Sequence, residues 1–187
     1  MTIYSPQVVG AFWCASEFSL AMLKRSKSNA VSKDRHSVTA IWLVNLFAVA
    51  LGLVASARFP ACELPWPKLI VGLGASLLLL GFALRWYSII HLGRFFTVDV
   101  AIASDHHLVD SGPYDFVRHP SYAGNLLVVA GFALSFQNWV SLLAVFGPCA
   151  AVILWRIRIE ESALLEALGE PYLKYMLRTK RLIPFIY

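Results

Sequence analysis

A chain of 187 residues suits one domain, yet 58% of it is hydrophobic and only 14% charged, against roughly half and about a quarter in soluble globular proteins. A soluble fold of this size has no interior large enough for that much apolar surface, so lipid must solvate much of it. The net charge of +5 comes with no nucleic-acid motif and no basic face, which points away from nucleic acid and towards an anionic membrane surface.

A membrane-crossing helix needs about 20 apolar residues. The first candidate runs from Ile3 to Leu23, interrupted by Glu17. A basic loop follows, with Lys24, Arg25, Lys27, Lys33 and Arg35. Val38 to Ala57 is the second candidate, closed by a turn whose Pro60, Pro65 and Pro67 cannot continue a helix. The third runs from Lys68 to about Ile90, with Gly72, Ser76 and Gly81 as points of close helix packing. A polar stretch, His91 to His119, precedes two shorter apolar runs, Pro120 to Phe136 and Trp139 to Trp155. Only Gln137-Asn138 separates them, so they form an antiparallel hairpin. The remainder, Arg156 to Tyr187, reads as an amphipathic helix with a polar tail, Leu164, Leu165, Leu168, Tyr172 and Tyr175 sharing a face. Cys14, Cys62 and Cys149 have neither a pairing nor a metal-ligand pattern and read as small apolar fillers. No metal site is expected.

The expected fold is therefore all-α: a polytopic membrane protein of about five transmembrane helices. Residues 1–187 form one domain, with three spans in 1–90, then a cofactor-binding loop, a hairpin and a cytoplasmic C-terminal helix in 91–187. Of the 16 basic residues, only Arg58 and Lys68 fall near the face opposite the basic loop. The positive-inside rule makes the loop side cytoplasmic, with the N-terminus outside and the C-terminus inside. Small size and no recognisable targeting signal suggest a bacterial inner membrane by resemblance alone. Within the spans, Glu17 is a lone acid, functional by default or else a border residue near Lys24 and Arg25, and Arg85 reads as a side chain snorkelling to the cytoplasmic interface, with lining the site as its alternative.

Polar residues gather in two places, both cytoplasmic. The first is His106 to Gly124, which holds the turn Ser111-Gly112-Pro113 and then Arg118-His119-Pro120-Ser121-Tyr122-Ala123-Gly124. Pro120 suits a first helical position, so the loop delivers Arg118 and His119 to a helix N-terminus, where an anion is favoured. The second is Arg156-Ile157-Arg158-Ile159-Glu160-Glu161, in which Arg156 and Glu160 share a helix face. Spacing alone equally allows interfacial anchors and a surface ion pair worth tenths of a kcal/mol.

These motifs, with Gly169-x-x-Tyr172-x-x-Tyr175 beyond them, resemble the isoprenylcysteine carboxyl methyltransferase family, part of a wider membrane group that includes phospholipid methyltransferases. The resemblance covers residues 90–184. It implies an S-adenosylmethionine cofactor and a lipophilic or lipidated substrate drawn from membrane lipid. It assigns cofactor binding to His106, His107, Leu108, Val109, Tyr114, His119, Pro120, Ser121, Tyr122 and Glu160. Arg156 takes the catalytic place beside the methyl-accepting group, and Asp99 departs from a neutral polar contact of animal members. The chemistry agrees. Glu160 suits the cofactor's ammonium, and a carboxylate acceptor needs no base, which favours O-methylation. Phospholipid N-methylation is one alternative. Another is an NADPH-dependent membrane sterol-type reductase, which also carries an Arg-His-Pro motif and a C-terminal Pro-x-x-Tyr such as Pro184 to Tyr187.

Overall fold

The computed structural model describes residues 4–23, 31–34, 36–96, 100–102 and 108–187. Among these residues are six α-helices: α1 (Pro6–Leu23), α2 (His36–Arg58), α3 (Pro67–Leu92), α4 (Pro120–Leu134), α5 (Trp139–Leu168) and α6 (Glu170–Arg178). Two stretches expected as loop pair instead as antiparallel strands, β1 (Val31–Asp34) with β2 (Val100–Ile102), and the register shifts between Ser32 and Asp34. The rest of the all-α expectation holds. Among the described residues, three helices are long and apolar enough to cross a membrane, over Ser37–Arg58, Pro67–Phe95 and Trp139–Leu168. Helix α4 is a shorter apolar helix of 15 residues.

One boundary differs from expectation. Rather than ending near Trp155, α5 continues unbroken to Leu168 for 30 residues, a length of about 45 Å. Nothing between Trp155 and Leu168 breaks a helix. Gly169, at φ +60°, does. The single face expected for the C-terminal segment is therefore divided. Tyr172 and Tyr175 are buried on α6, whereas Leu165 on α5 is exposed.

Helix α3 lies along α4, α2 along α5, and α4 folds back on α5. At the hairpin, Asn138 caps α5 by accepting from Ser141 N at 3.1 Å, and its Nδ2 donates to Phe59 O at 2.7 Å. The core sits where α1, α2, α4 and α5 meet: Val9, Trp13, Ala48, Val128, Val129, Phe132, Val145 and Cys149. Outward-facing residues such as Phe12, Phe18, Leu46, Phe47, Leu79 and Leu80 are exposed and apolar, as lipid contact requires.

Glycines bring α3 and α4 together. A Cβ on Gly81 would lie 2.7 Å from Gly124 O, and one on Gly131 would lie 2.7 Å from Gly74 O. Two glycines seven residues apart on each helix thus let the backbones touch, as small residues do in membrane helix pairs. Gly81 fulfils its expected role. Gly72 does not, since a Cβ there would meet nothing within 4 Å, and Ser76 is exposed and bonds its own helix at Gly72 O. Both point away from α4.

Candidate functional site

The site grows from the entry into α4. A turn at Gly112–Asp115 is held by Gly112 at φ +60°, where a Cβ would strike the His91 ring at 2.7 Å. Pro120 then starts α4 as its first residue, which needs no N–H there. This aims Tyr122 across the helix pair at α5. The Tyr122 hydroxyl donates to Glu160 Oε2 at 2.8 Å and accepts from Arg156 Nε at 3.3 Å. Arg156 and Glu160, one turn apart on α5, are thus bridged by a phenol. Arg156 is 2% exposed, and it also donates to Ser37 Oγ at the start of α2.

Beneath this bridge lies a partly open cavity of about 70 Å³ whose polar lining includes Glu17, Arg85, Ser121, Tyr122, Asn125 and Arg156. Arg85 is 7% exposed. It donates to Glu17 Oε2 at 2.7 Å, to Ser121 Oγ at 3.2 Å and to Ser121 O at 3.3 Å. It therefore does not snorkel, and Glu17 is no border residue: each neutralises the other inside the bundle. An apolar groove between α1 and α2, lined by Gly10, Trp13, Cys14, Leu46 and Val49, meets the cavity at Glu17, Trp42 and Asn45.

A second polar cluster clasps the C-terminal segment. Glu161 is 4% exposed and accepts from Arg118 Nε at 2.9 Å, His119 Nε2 at 3.3 Å and Arg181 Nε at 2.8 Å. The Arg118 guanidinium also reaches Met176 O and Thr179 O. Backbone bonds add Arg118 N to Lys180 O at 2.8 Å and His119 N to Arg181 O at 3.0 Å. The hydrogen bonds to Glu161 push the Arg181 pKa above its usual range. Burial likewise raises the hydroxyls of Tyr114, Tyr172 and Tyr175, so they stay neutral donors. Tyr175 donates to Tyr114 O at 2.6 Å, and Tyr114 to Ser88 O at 3.3 Å.

Of the residues expected at the site, Ser121, Tyr122, Arg156 and Glu160 come together around the phenol bridge. The His119 ring lies 5.8 Å from that of Tyr122 with its Nε2 on Glu161. Pro120 is buried at the helix start. Tyr114 donates its hydroxyl to Ser88 O near the end of α3 and still feels the charge of Glu160. Leu108 and Val109 are half-buried in the incoming loop. His106, His107 and Asp99 lie outside the described residues. Sequence reasoning missed Asn125, buried in the cavity wall, and the Glu17–Arg85 pair. The pair had a signal: one acid and one base, each alone inside an apolar run, satisfy each other if the two helices touch.

The profile of the isoprenylcysteine carboxyl methyltransferase family matches residues 73–166, which include α4, the cavity wall of α3 and the Arg156–Glu161 run. Over 182 residues, 94% of this chain and 89% of the relative, the sequence is 30% identical to protein-S-isoprenylcysteine O-methyltransferase B of Arabidopsis thaliana. The chain belongs to the isoprenylcysteine carboxyl methyltransferase family. The Saccharomyces cerevisiae protein-S-isoprenylcysteine O-methyltransferase is 34% identical over 75% of this chain and 61% of its own length. A solved structure of a eukaryotic intramembrane Ras methyltransferase of the family superposes with a TM-score of 0.71 at 28% identity. The match takes in 97% of this chain and 65% of that one. That chain is a membrane protein, and helices apolar enough for the same setting are present here. The likeness also reaches α1 and α2, which the family profile leaves out and which supply Glu17 and Ser37.

Proposed function

We propose that this chain is an S-adenosylmethionine-dependent methyltransferase that esterifies the carboxylate of a lipophilic, isoprenylcysteine-like acid. The observation that carries the reading is the Tyr122 hydroxyl joining Arg156 to Glu160 above a cavity that opens onto an apolar groove.

The residues fit the cofactor. Glu160 takes one hydrogen bond, from Tyr122, and is only half-buried, so its carboxylate remains available to an ammonium. The buried Tyr172 hydroxyl has no hydrogen-bond partner among the described residues and senses the charges of Glu161 and Glu160. When bound, S-adenosylmethionine supplies an electrophilic methyl group on a sulfonium sulfur. Glu160 would hold the cofactor's ammonium, and the family resemblance gives Leu108, Val109, Tyr114, His119, Pro120 and Ser121 as further cofactor contacts, together with His106 and His107, which lie outside the described residues. Arg156 holds the acceptor carboxylate through a two-point hydrogen bond, which orients one oxygen for in-line attack. Tyr122 ties the two sides to one geometry. The groove between α1 and α2 takes the hydrocarbon tail, so a substrate enters from lipid while the cofactor enters from water.

In this reading the whole chain acts as one domain, since α2 of the first half packs on α5 of the second. Helices α1 and α4 complete five crossings, and the last turns of α5 with α6 close the site from the cytosol. The N-terminus lies outside.

The test is binding and turnover in detergent. S-adenosylhomocysteine should bind saturably, and labelled methyl should pass to a prenylated cysteine acid. Glu160→Ala should weaken cofactor binding; Arg156→Ala should spare it and abolish turnover. Saturable binding of NADPH without any S-adenosylhomocysteine binding overturns the reading.

A further inference from the structure

Helix α5 gives a scale of depth. About 30 Å of hydrocarbon takes roughly 20 helical residues, so a span that begins at Trp139 reaches the far headgroups near Arg158. The chain beyond α6 returns to that level. Leu182 packs against Ile153 and Ile157 of α5, with Leu126 of α4 and Tyr122 beside them. Arg181 is tied to Glu161 one turn further on. Residues 183–187 therefore stand at the boundary between hydrocarbon and headgroups.

Their side chains suit that boundary and not bulk water. Ile183 is 51% exposed, Ile186 75% and Phe185 92%. Tyr187 O accepts from Leu182 N at 2.7 Å and from Ile183 N at 2.8 Å, which closes a turn with Phe185 near its tip at φ +66°. A left-handed backbone is unfavourable for a bulky side chain, and glycine would make the turn without strain. In water this use of phenylalanine brings only cost. Against lipid, the turn offers its largest apolar side chain to a matching solvent. Trp155, exposed on α5 at the same level, agrees, since tryptophan gathers at membrane boundaries.

Charge says which lipid. From Glu170 to Tyr187 the chain carries four basic residues and one acid. Lys174 pairs with Glu170, Arg178 with Asp110 and Arg181 with Glu161. Lys180 is exposed and has no ion-pair partner among the described residues, and the same holds for Arg158. Arg158 sits at the edge of the α5 face, Leu154, Ile157 and Glu161, that meets the returning chain. Two such cations beside an apolar turn complement an acidic headgroup.

We propose that residues 183–187 insert into the membrane boundary as an anchor, and that Lys180 and Arg158 hold the phosphate of an acidic phospholipid there. The inference goes beyond the methyl transfer proposed above, and its test needs no turnover. The anchor keeps Leu182 seated behind Tyr122, so the lipid surface supports the wall of the site.

The experiment places a bimane fluorophore at Phe185→Cys in the full chain, with Cys14 and Cys62 changed to serine and the buried Cys149 left in place. A second label at Ala167→Cys, exposed on the last turns of α5, is the reference outside the membrane. The protein is reconstituted in vesicles containing phosphatidylglycerol or phosphatidylcholine with a nitroxide on the acyl chain. The label at 185 should be quenched strongly and the one at 167 weakly. Half-quenching should need a mole fraction of phosphatidylglycerol at least about fivefold below that of phosphatidylcholine, the enrichment expected from a single cation at an acidic surface. Arg158→Gln with Lys180→Gln should bring the two mole fractions together. Quenching at 185 no stronger than at 167 overturns the anchor and leaves the apolar turn to a protein partner. Equal quenching by the two lipids in the otherwise unchanged chain overturns the acidic headgroup site, as does a preference that survives removal of both cations.

Discussion

Replacing Tyr122 with phenylalanine keeps the ring and removes only the bridging hydroxyl. Two contacts disappear, 2.8 Å to Glu160 and 3.3 Å from Arg156. Hydrogen bonds to charged groups contribute about 1.5–3 kcal/mol each, with the longer one at or below the weak end. Part of that loss falls on the resting enzyme, where Arg156 and Glu160 lose a partner. If about 2 kcal/mol is felt by the reacting complex, kcat/KM should fall by roughly 30-fold. The measurement is methyl transfer to a prenylated cysteine acid, alongside S-adenosylhomocysteine affinity and thermal unfolding in the same detergent. Cofactor affinity should drop by only a few-fold, because Glu160 keeps its charge. A kcat/KM within threefold of wild type would refute the claim that the phenol aligns the two halves of the site.

Three further substitutions test the framework. Glu161→Gln keeps the side chain's size but strips the charge that Arg118, His119 and Arg181 share. It should destabilise the protein by about 3 kcal/mol or more and expose the segment after Arg178 to proteolysis, whereas an unchanged unfolding temperature would mean the clasp is idle. In Gly124→Ala the new Cβ would sit 2.7 Å from the backbone at Arg85 N and Gly81 O, so α3 and α4 must part, at a cost of about 1–3 kcal/mol. Gly72→Ala meets nothing within 4 Å and should be neutral or slightly stabilising, by up to about 1 kcal/mol. Equal effects from the two alanines would contradict the helix contact described here.

The sequence by itself settled the membrane setting, because no soluble interior can hide so much apolar surface. It also placed α2, α3, α4 and the start of α5 within a few residues, because prolines and a two-residue turn bound them. The family motifs were legible for a related reason: Arg118 to Gly124 and Arg156 to Glu161 are local runs whose residue types and spacing survive without coordinates. What remained hidden depended on neighbours distant in the chain. Nothing local says that the helix starting at Trp139 should run past Arg156 to Gly169, since a buried arginine and a surface arginine look alike in sequence. Glu17 and Arg85 are 68 positions apart, and only the approach of α1 to α3 turns two costly charges into one neutral pair. The same holds for Gly72 and Gly74, which are equivalent as letters, yet one faces outward and the other meets α4. Asn125 lines a polar cavity only because α1, α2, α3 and α5 close around it. The tertiary structure decided these matters because charge burial and backbone approach depend on distance in space, and sequence separation does not report that distance.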